Sequence, residues 1–293
     1  MSHSLLLSQS NPNLVLLNVS LQKDMTDAEY RAYDAVNQSY IKRVHTHGVA
    51  HAERDKVSRD HKTKALVIGS LYHCLTLEPN EVESRYSVAP NVDRRTKQGK
   101  DIHEEFEANA GGRAVVKSDD WDVAKAMSES AYEIIKGRFE RASVAREIAF
   151  TGRAKVYYKW NGEDRFHDFP IKGKLDLLTR VQKGKGELEI LDLKSMASLS
   201  DNDVIASARG SCWGIQSAFY SDCINEVFKC FPKFTYVCSE KEEPNLSREF
   251  VVSSEMIERG RHNYLRALVE VAEWHKNGRP ADYAYVGVTE LNA

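Results

Sequence analysis

The hydrophobic positions of this chain follow a helical period near both ends and a strand period in the middle. Residues 62–77 are apolar almost all round and stop before Pro79, which predicts a buried helix. A weaker helical pattern begins at Thr26, with Glu29 as a capping partner, and runs to about Val44. Further helices are predicted over residues 101–109, 119–142, 203–227 and 254–276.

Short strand-like stretches fill the middle of the chain and are separated by turn residues. Gly152 and the pair Asn161-Gly162 divide the first of them, which predicts an antiparallel meander. The order of elements predicts an α/β domain with a mixed central sheet flanked by helices and with a helical N-terminal part. We expect residues 1–60 to form a partly helical extension and residues 61–293 to form the main domain. Strands are predicted at residues 147–150, 154–160, 168–178, 187–193, 234–238 and 249–252.

Composition narrows the class of protein. The 293 residues are 42% hydrophobic and 29% charged, which excludes a disordered chain. The net charge is −2, so nucleic-acid binding would require a local basic patch. No apolar run approaches the ~20 residues that a membrane span needs, and we expect a cytoplasmic protein. The five cysteines predict reduced thiols, because Cys223, Cys230 and Cys238 are spaced unlike an iron–sulfur motif.

An acid and a lysine interrupt one of the apolar strands. Asp192 and Lys194 are two residues apart, so they project from one face of the strand while Leu191 and Leu193 face the other way. Asp176 places a second carboxylate in the preceding strand, where burial of a lone charge is costly. Two inward carboxylates on adjacent strands indicate a bound cation.

The chemistry that fits these residues is phosphodiester hydrolysis. Carboxylate oxygens suit Mg²⁺ or Mn²⁺, which can also be shared with a phosphate oxygen. Lys194 could orient or deprotonate the attacking water, or offset the charge that grows in the transition state. In the alternative interpretation these residues have no catalytic role: Asp192 and Lys194 form a solvated strand end, and Asp176 lies beside a turn.

The two acidic strands resemble the core of the PD-(D/E)XK nucleases, through GKLD at residues 173–176 and LDLKS at residues 191–195. The surroundings resemble the RecE-type exonucleases (exonuclease VIII) of phage and prophage recombination, which are related to the nuclease domain of RecB. Three segments carry this closer resemblance, namely GSLYHCL at residues 69–75, RRTKQGK at 94–100 and QSAFY at 216–220. The resemblance extends from about residue 60 to residue 276.

The resemblance implies a role for each site residue. The implied metal-site positions are His73, Asp176, Asp192 and Leu193. The implied catalytic residues are Lys194, Asp192, Asp176 and Glu147, the last able to hold a water molecule. The implied DNA-binding residues are Gln216, Tyr220, Arg94, Arg95, Lys97 and Lys100.

Several of these residues also have a simpler interpretation. A single histidine in an apolar helix, such as His73, is usually a core residue. Glu147 fits a solvated helix end, and the basic run at residues 94–100 fits a solvated surface. Gln216 and Tyr220 share one helix face, where they could bind phosphate or could leave the tyrosine packed and the glutamine exposed.

The resemblance further implies a Mg²⁺-dependent double-strand DNA exonuclease, with Mn²⁺ as a substitute. Such an enzyme degrades the 5′ strand from an end and leaves a 3′ single-stranded overhang for recombination. Members of this family form ring-shaped tetramers and act with a single-strand annealing recombinase, so a homotetramer and such a partner are expected in a bacterial or phage-infected cell. The alternatives are a PD-(D/E)XK endonuclease, a Cas4-like nuclease, which the cysteine spacing disfavours, and a non-catalytic DNA-end-binding module.

Overall fold

A six-stranded mixed sheet forms the centre of the computed structural model, which describes residues 12–57, 64–139, 144–180 and 187–278. In spatial order the strands are β1 (Asn13–Gln22), β4 (Val144–Trp160), β5 (Glu163–Arg180), β6 (Leu188–Met196), β7 (Lys233–Glu240) and β8 (Ser247–Val251). A separate parallel pair consists of β2 (Tyr86–Val88) and β3 (Ala114–Val116). In the main sheet β6 and β7 pair in parallel and the other neighbours are antiparallel. The predicted α/β class and the predicted meander, β4-β5-β6, are therefore confirmed.

Helices cover both faces of this sheet. In chain order they are α1 (Asp27–Ala32), α2 (Gln38–His47), α3 (Val49–Val57), α4 (Lys64–Leu77), α5 (Val82–Arg85), α6 (Lys97–Ala108), α7 (Ser118–Phe139), α8 (Asp201–Gly210), α9 (Trp213–Phe228) and α10 (Ser254–Lys276). The predicted helices at residues 62–77, 119–142 and 254–276 correspond to α4, α7 and α10, although residues 62, 63 and 140–142 lie outside the described residues.

Two predicted helices are each divided in two. The helix expected over residues 203–227 breaks at Cys212, whose left-handed backbone (φ +49°) ends α8 and starts α9 in a new direction. The helix expected from Thr26 to Val44 stops at Ala32 and resumes at Gln38. The capping box predicted for Thr26 and Glu29 is present.

Strand β1 is an element that the sequence pattern did not predict. Its even-numbered apolar residues Leu14 and Leu16 pack against the core, whereas Val15 and Leu17 are exposed. This period of two is short and follows a polar start, so it is weak evidence when it is taken alone. Because β1 pairs with β4 along most of its length, the N-terminal part contributes to the main sheet. The boundary between residues 60 and 61 stays a prediction.

The sheet separates two hydrophobic clusters. Side chains of α2, α3, α9 and α10 pack on one face, and side chains of α4 and α7 pack on the other. Leu191 and Leu193 belong to the cluster under α4 and α7, so the intervening Asp192 points toward α9. Asp192 therefore lies on the face of β6 opposite Leu191 and Leu193, as the alternation of side chains predicts. Within the described residues, none of the helices is both long and apolar enough to cross a membrane.

Candidate active site

Strands β5 and β6 stop pairing where the acidic residues begin. Their regular register runs from Arg180 and Leu188 to Leu177 and Leu191. One residue further, the Oδ2 atom of Asp176 accepts the main-chain N–H of Leu193 at 2.7 Å. The side chain of Asp176 thus takes the place of a ladder hydrogen bond, at an opening where β5 and β6 no longer pair.

His73 of α4 lies at this opening, and both of its ring nitrogens face oxygen atoms. Nδ1 is 3.4 Å from Oδ2 of Asp176, and Nε2 is 3.0 Å from the main-chain O of Leu193. A neutral imidazole has a single N–H, so while Asp176 is ionised one nitrogen lone pair faces an oxygen lone pair in either tautomer. Burial lowers the pKa of His73 to about 4, which disfavours the doubly protonated ring that would satisfy both contacts. A cation beside the ring removes this conflict, because nitrogen and oxygen can both donate lone pairs to it.

Glu147 of β4 joins this pair. One ligand atom from each of His73, Glu147 and Asp176 lies within 4.8 Å of the others. Glu147 has a left-handed backbone (φ +46°), a conformation that costs an L-residue roughly 1–2 kcal/mol. Its neighbours in β4 pair regularly with β5, so the strain is confined to the residue opposite Asp176. Strain of this kind is often kept at functional sites.

The electrostatics of the cluster also favour a cation. Burial raises the pKa of Asp176 well above its usual range, and the nearby carboxylates of Asp192 and Glu147 raise it further. Burial likewise raises the pKa of Glu147, although Lys174 opposes this effect. Two carboxylates and an imidazole suit a divalent metal ion with a preference for hard ligands. The three residues therefore form a candidate metal site, to which Leu193 adds a nearby carbonyl.

Asp192 occupies a different position from the other two acids. Its Oδ1 accepts the side-chain N–H of Gln216 at 2.5 Å, and its Oδ2 is bonded to the ammonium group of Lys194. The side chain is 4% exposed, so both oxygens are already engaged inside the protein. The same-face placement of Asp192 and Lys194 is as predicted, but Asp192 lies outside the three-residue cluster. Its role as a ligand stays a prediction.

A second lysine bridges the cluster to the N-terminal part of the chain. Nζ of Lys174 lies 2.7 Å from Oε2 of Glu147 and 2.7 Å from Oδ1 of Asp27 in α1. Lys174 lies in the GKLD segment, but sequence reasoning assigned it no role and did not single out Asp27. Contacts between segments so far apart in the chain leave no local pattern to detect.

Gln216 and Tyr220 are buried inside the protein, and the DNA contact that the sequence predicted for both stays a prediction. Gln216 is 4% exposed and is held by Asp192 on one side and by Nζ of Lys42, at 3.0 Å, on the other. Tyr220 packs edge-on against Phe150, with 5.6 Å between ring centroids. A Cβ at residue 173 would lie 2.3 Å from Phe150 and 2.8 Å from Tyr220, which explains the glycine there. The two motif residues therefore support the strands from within the protein.

A cleft of about 810 Å³ opens onto His73, Glu147 and Asp176. The sequence analysis did not single out the arginines of this cleft, because each is a solitary residue in its own segment. These arginines are Arg31, Arg85 and Arg113.

The predicted basic segment lies elsewhere. Arg94 and Arg95 line a separate cavity of about 300 Å³, and neither they nor Lys97 and Lys100, in the first turn of α6, line the acidic cleft. All four are exposed, and their contact with DNA stays a prediction.

The comparison with known families agrees with this arrangement of strands and acids. Residues 20–285 match the family described as PDDEXK-like domain of unknown function (DUF3799). The chain belongs to this family. It is thereby placed in the PD-(D/E)XK nuclease superfamily, as the GKLD and LDLKS segments predicted, whereas membership of the RecE-type branch is a finer assignment.

The fold of this PDDEXK-like chain is shared with a solved structure. A protein from Eubacterium rectale, described as a "putative exonuclease", aligns with a TM-score of 0.56 and 17% identity over 88% of this chain and 89% of its own. The protein SSO0001 aligns with a TM-score of 0.27 and 14% identity over 68% and 86%. None of the curated protein sequences matches the chain.

Proposed function

We propose that this PDDEXK-like protein is a Mg²⁺-dependent exodeoxyribonuclease that acts on the ends of duplex DNA. The observation that carries the proposal is the cluster of His73, Glu147 and Asp176, which lines a cleft together with arginines and lies next to the Asp192–Lys194 pair of β6. A nuclease needs both features, because it must bind a polyanion and must stabilise additional charge on one phosphate.

The residues divide the chemistry between them. His73, Glu147 and Asp176 would hold the divalent ion, which supplies Lewis-acid charge for the phosphate oxygens when it is bound. Lys194 projects from the strand beside this cluster, where it can orient the attacking water or accept its proton. Arg31 and Arg113 line the cleft, where their guanidinium groups can contact phosphates that flank the scissile bond.

The finer parts of the proposal come from the RecE-type resemblance. We infer degradation of the 5′ strand, a 3′ single-stranded overhang for recombination, a homotetramer and an annealing recombinase as partner. The neighbour described as a "putative exonuclease" supports the exonuclease assignment over the endonuclease one only through its shared fold. The closed circle in the experiment below separates these two activities directly.

The deciding experiment uses linear duplex DNA labelled at either the 5′ or the 3′ end, with closed circular DNA of the same sequence as the control. We expect nucleotides to be released from the 5′-labelled strand in Mg²⁺, a slower reaction or none in EDTA, and an intact circle. Cleavage of the circle would identify an endonuclease. Binding of ends without release of nucleotides under any divalent ion would identify a non-catalytic module.

A further inference from the structure

A lysine from the N-terminal helices reaches the site through Gln216 and does not line the cleft. Lys42 lies in α2, and its Nζ donates a hydrogen bond to Oε1 of Gln216 at 3.0 Å. Gln216 in turn donates from Nε2 to Oδ1 of Asp192 at 2.5 Å, and Oδ2 of Asp192 contacts Lys194. Four polar side chains from α2, α9 and β6 thus form one continuous chain of hydrogen bonds.

The two neighbours of Gln216 determine which way its carboxamide points. The oxygen of a carboxamide only accepts and its nitrogen only donates. An ionised carboxylate only accepts, so Asp192 requires the nitrogen end of Gln216. The ammonium form of Lys42 only donates, so it requires the oxygen end, and the neutral amine still has hydrogens to donate to that oxygen. Each contact enforces the same orientation of the amide.

The burial of this group makes the orientation matter. Gln216 is 4% exposed, so without Lys42 its oxygen would be a buried acceptor that has lost its donor. Rotation of the amide by half a turn would then bring the oxygen against Asp192 and remove the N–H that holds that carboxylate. Asp192 would be left with Lys194 alone as a donor, and the position of both groups would be less well defined.

Lys42 does not line the acidic cleft, in contrast to Arg31 and Lys174. Burial, with Lys194 close by, lowers the pKa of Lys42 to about 7, as expected for an amine enclosed by protein. Its surroundings therefore suit an internal contact better than a contact with a DNA phosphate.

We propose that Lys42 is a positioning residue, which fixes the carboxamide of Gln216 so that the Gln216 N–H holds Asp192 beside Lys194. The inference rests on the proposed nuclease function, because it assigns Asp192 and Lys194 to the reaction. It also adds a residue of α2 to the group formed by Gln216 of α9 with Asp192 and Lys194 of β6.

The kinetic test compares Lys42→Met, Lys42→Arg, Gln216→Ala and the double variant Lys42→Met/Gln216→Ala in Mg²⁺. Lys42→Met should lower kcat about tenfold with KM for DNA within about twofold, which corresponds to the loss of one buried hydrogen bond. Lys42→Arg should recover part of the rate, because it keeps a donor. The double variant should be no slower than Gln216→Ala, since Lys42 acts through Gln216.

Other kinetic outcomes would overturn the inference. The matched control is Lys56→Met in α3, where the lysine pairs with Glu53 away from the site, and its kcat should stay at the wild-type value. Equal rates for Lys42→Met and Lys56→Met would exclude a role for Lys42. A raised KM with unchanged kcat and a weaker salt dependence would identify a direct phosphate contact. Multiplicative losses in the double variant would show that Lys42 acts independently of Gln216.

A second measurement does not depend on activity. In protein labelled with ¹⁵N-glutamine, the side-chain amide signal of Gln216 can be assigned by its loss in Gln216→Ala. The signal should exchange slowly with solvent in the wild type and faster in Lys42→Met, but not in Lys56→Met. This result together with no nucleotide release from the wild type would reject the nuclease function and keep the contact. An amide unchanged in Lys42→Met would reject the positioning role, whatever the activity.

Discussion

The two polar clusters on either side of the Leu193 peptide differ in how their charges are balanced. In the cluster of His73, Glu147 and Asp176, lone pairs face one another at the centre, and the cation Lys174 contacts it from the edge. In the cluster of Asp192, Lys194 and Gln216, each carboxylate oxygen already has a donor. With its acids ionised, the first arrangement would be stabilised by a bound cation, whereas the second contains its own cation in Lys194. Polar residues on neighbouring elements of one sheet are therefore suited to two different tasks, metal binding by the first cluster and placement of a lysine by the second.

The largest effect should come from Asp176→Asn, which removes the charge but keeps the shape of the side chain. The asparagine can still accept the Leu193 N–H through Oδ1, so the strands should keep their positions. We expect nucleotide release to fall by on the order of 10⁴-fold, because transition-state stabilisation by the metal is worth several kcal/mol. Calorimetry should detect no Mg²⁺ or Mn²⁺ binding at concentrations that saturate the wild type.

Urea unfolding of Asp176→Asn tests whether the negative charges of the first cluster destabilise the protein when no metal is bound. In EDTA, Asp176→Asn should unfold at the same urea concentration as the wild type or at a higher one, since it relieves repulsion among buried acids. Asp192→Asn should unfold earlier, because it breaks the pair with Lys194. The control is Asp168→Asn. Asp168 lies on β5, like Asp176, but it pairs with Arg153 at the surface, so its replacement should change neither metal binding nor cleavage. A large loss of stability in Asp176→Asn without metal would contradict the comparison.

The next effect should come from Lys194→Ala, which acts on the second cluster alone. We expect cleavage to fall by roughly 10³-fold, within the range for loss of a group that transfers a proton. Metal affinity should remain measurable by calorimetry, because the ammonium group is not a ligand. Equal loss of metal binding in Lys194→Ala and Asp176→Asn would show that the two clusters function as one. Lys155→Ala, on the outer part of β4, provides a control for removal of a strand lysine.

Sequence periodicity predicted those features of the two clusters that depend on a single strand or helix. Alternation along β6 is sufficient to place Asp192 and Lys194 on one face and Leu193 on the other. The apolar run of α4 predicts a helix at His73, and the resemblance links that helix to the acids. These inferences hold because the side chains are fixed by the backbone of their own element.

Contacts between distant segments could not be predicted in this way. The contact of Lys42 with Gln216 depends on the packing of α2 against α9, and the contact of Asp27 with Lys174 depends on the placement of α1. The burial of Gln216 between Lys42 and Asp192 also depends on distant segments, and its spacing from Tyr220 in α9 gives no sign of it. Tertiary packing decides each of these positions.

The smallest of these effects should be seen for His73→Ala, which removes one neutral ligand and leaves both carboxylates of the first cluster. We expect Mg²⁺ affinity to fall about 10-fold to 100-fold, and higher Mg²⁺ should restore a large part of the cleavage rate. His103→Ala provides the matched control, because His103 also lies in a helix beside a carboxylate but pairs with Glu107 within α6. Metal titrations of cleavage should shift for the first variant and not for the second. If the two titrations coincide with that of the wild type, His73 is a core residue of α4 and the cation site consists of the carboxylates alone.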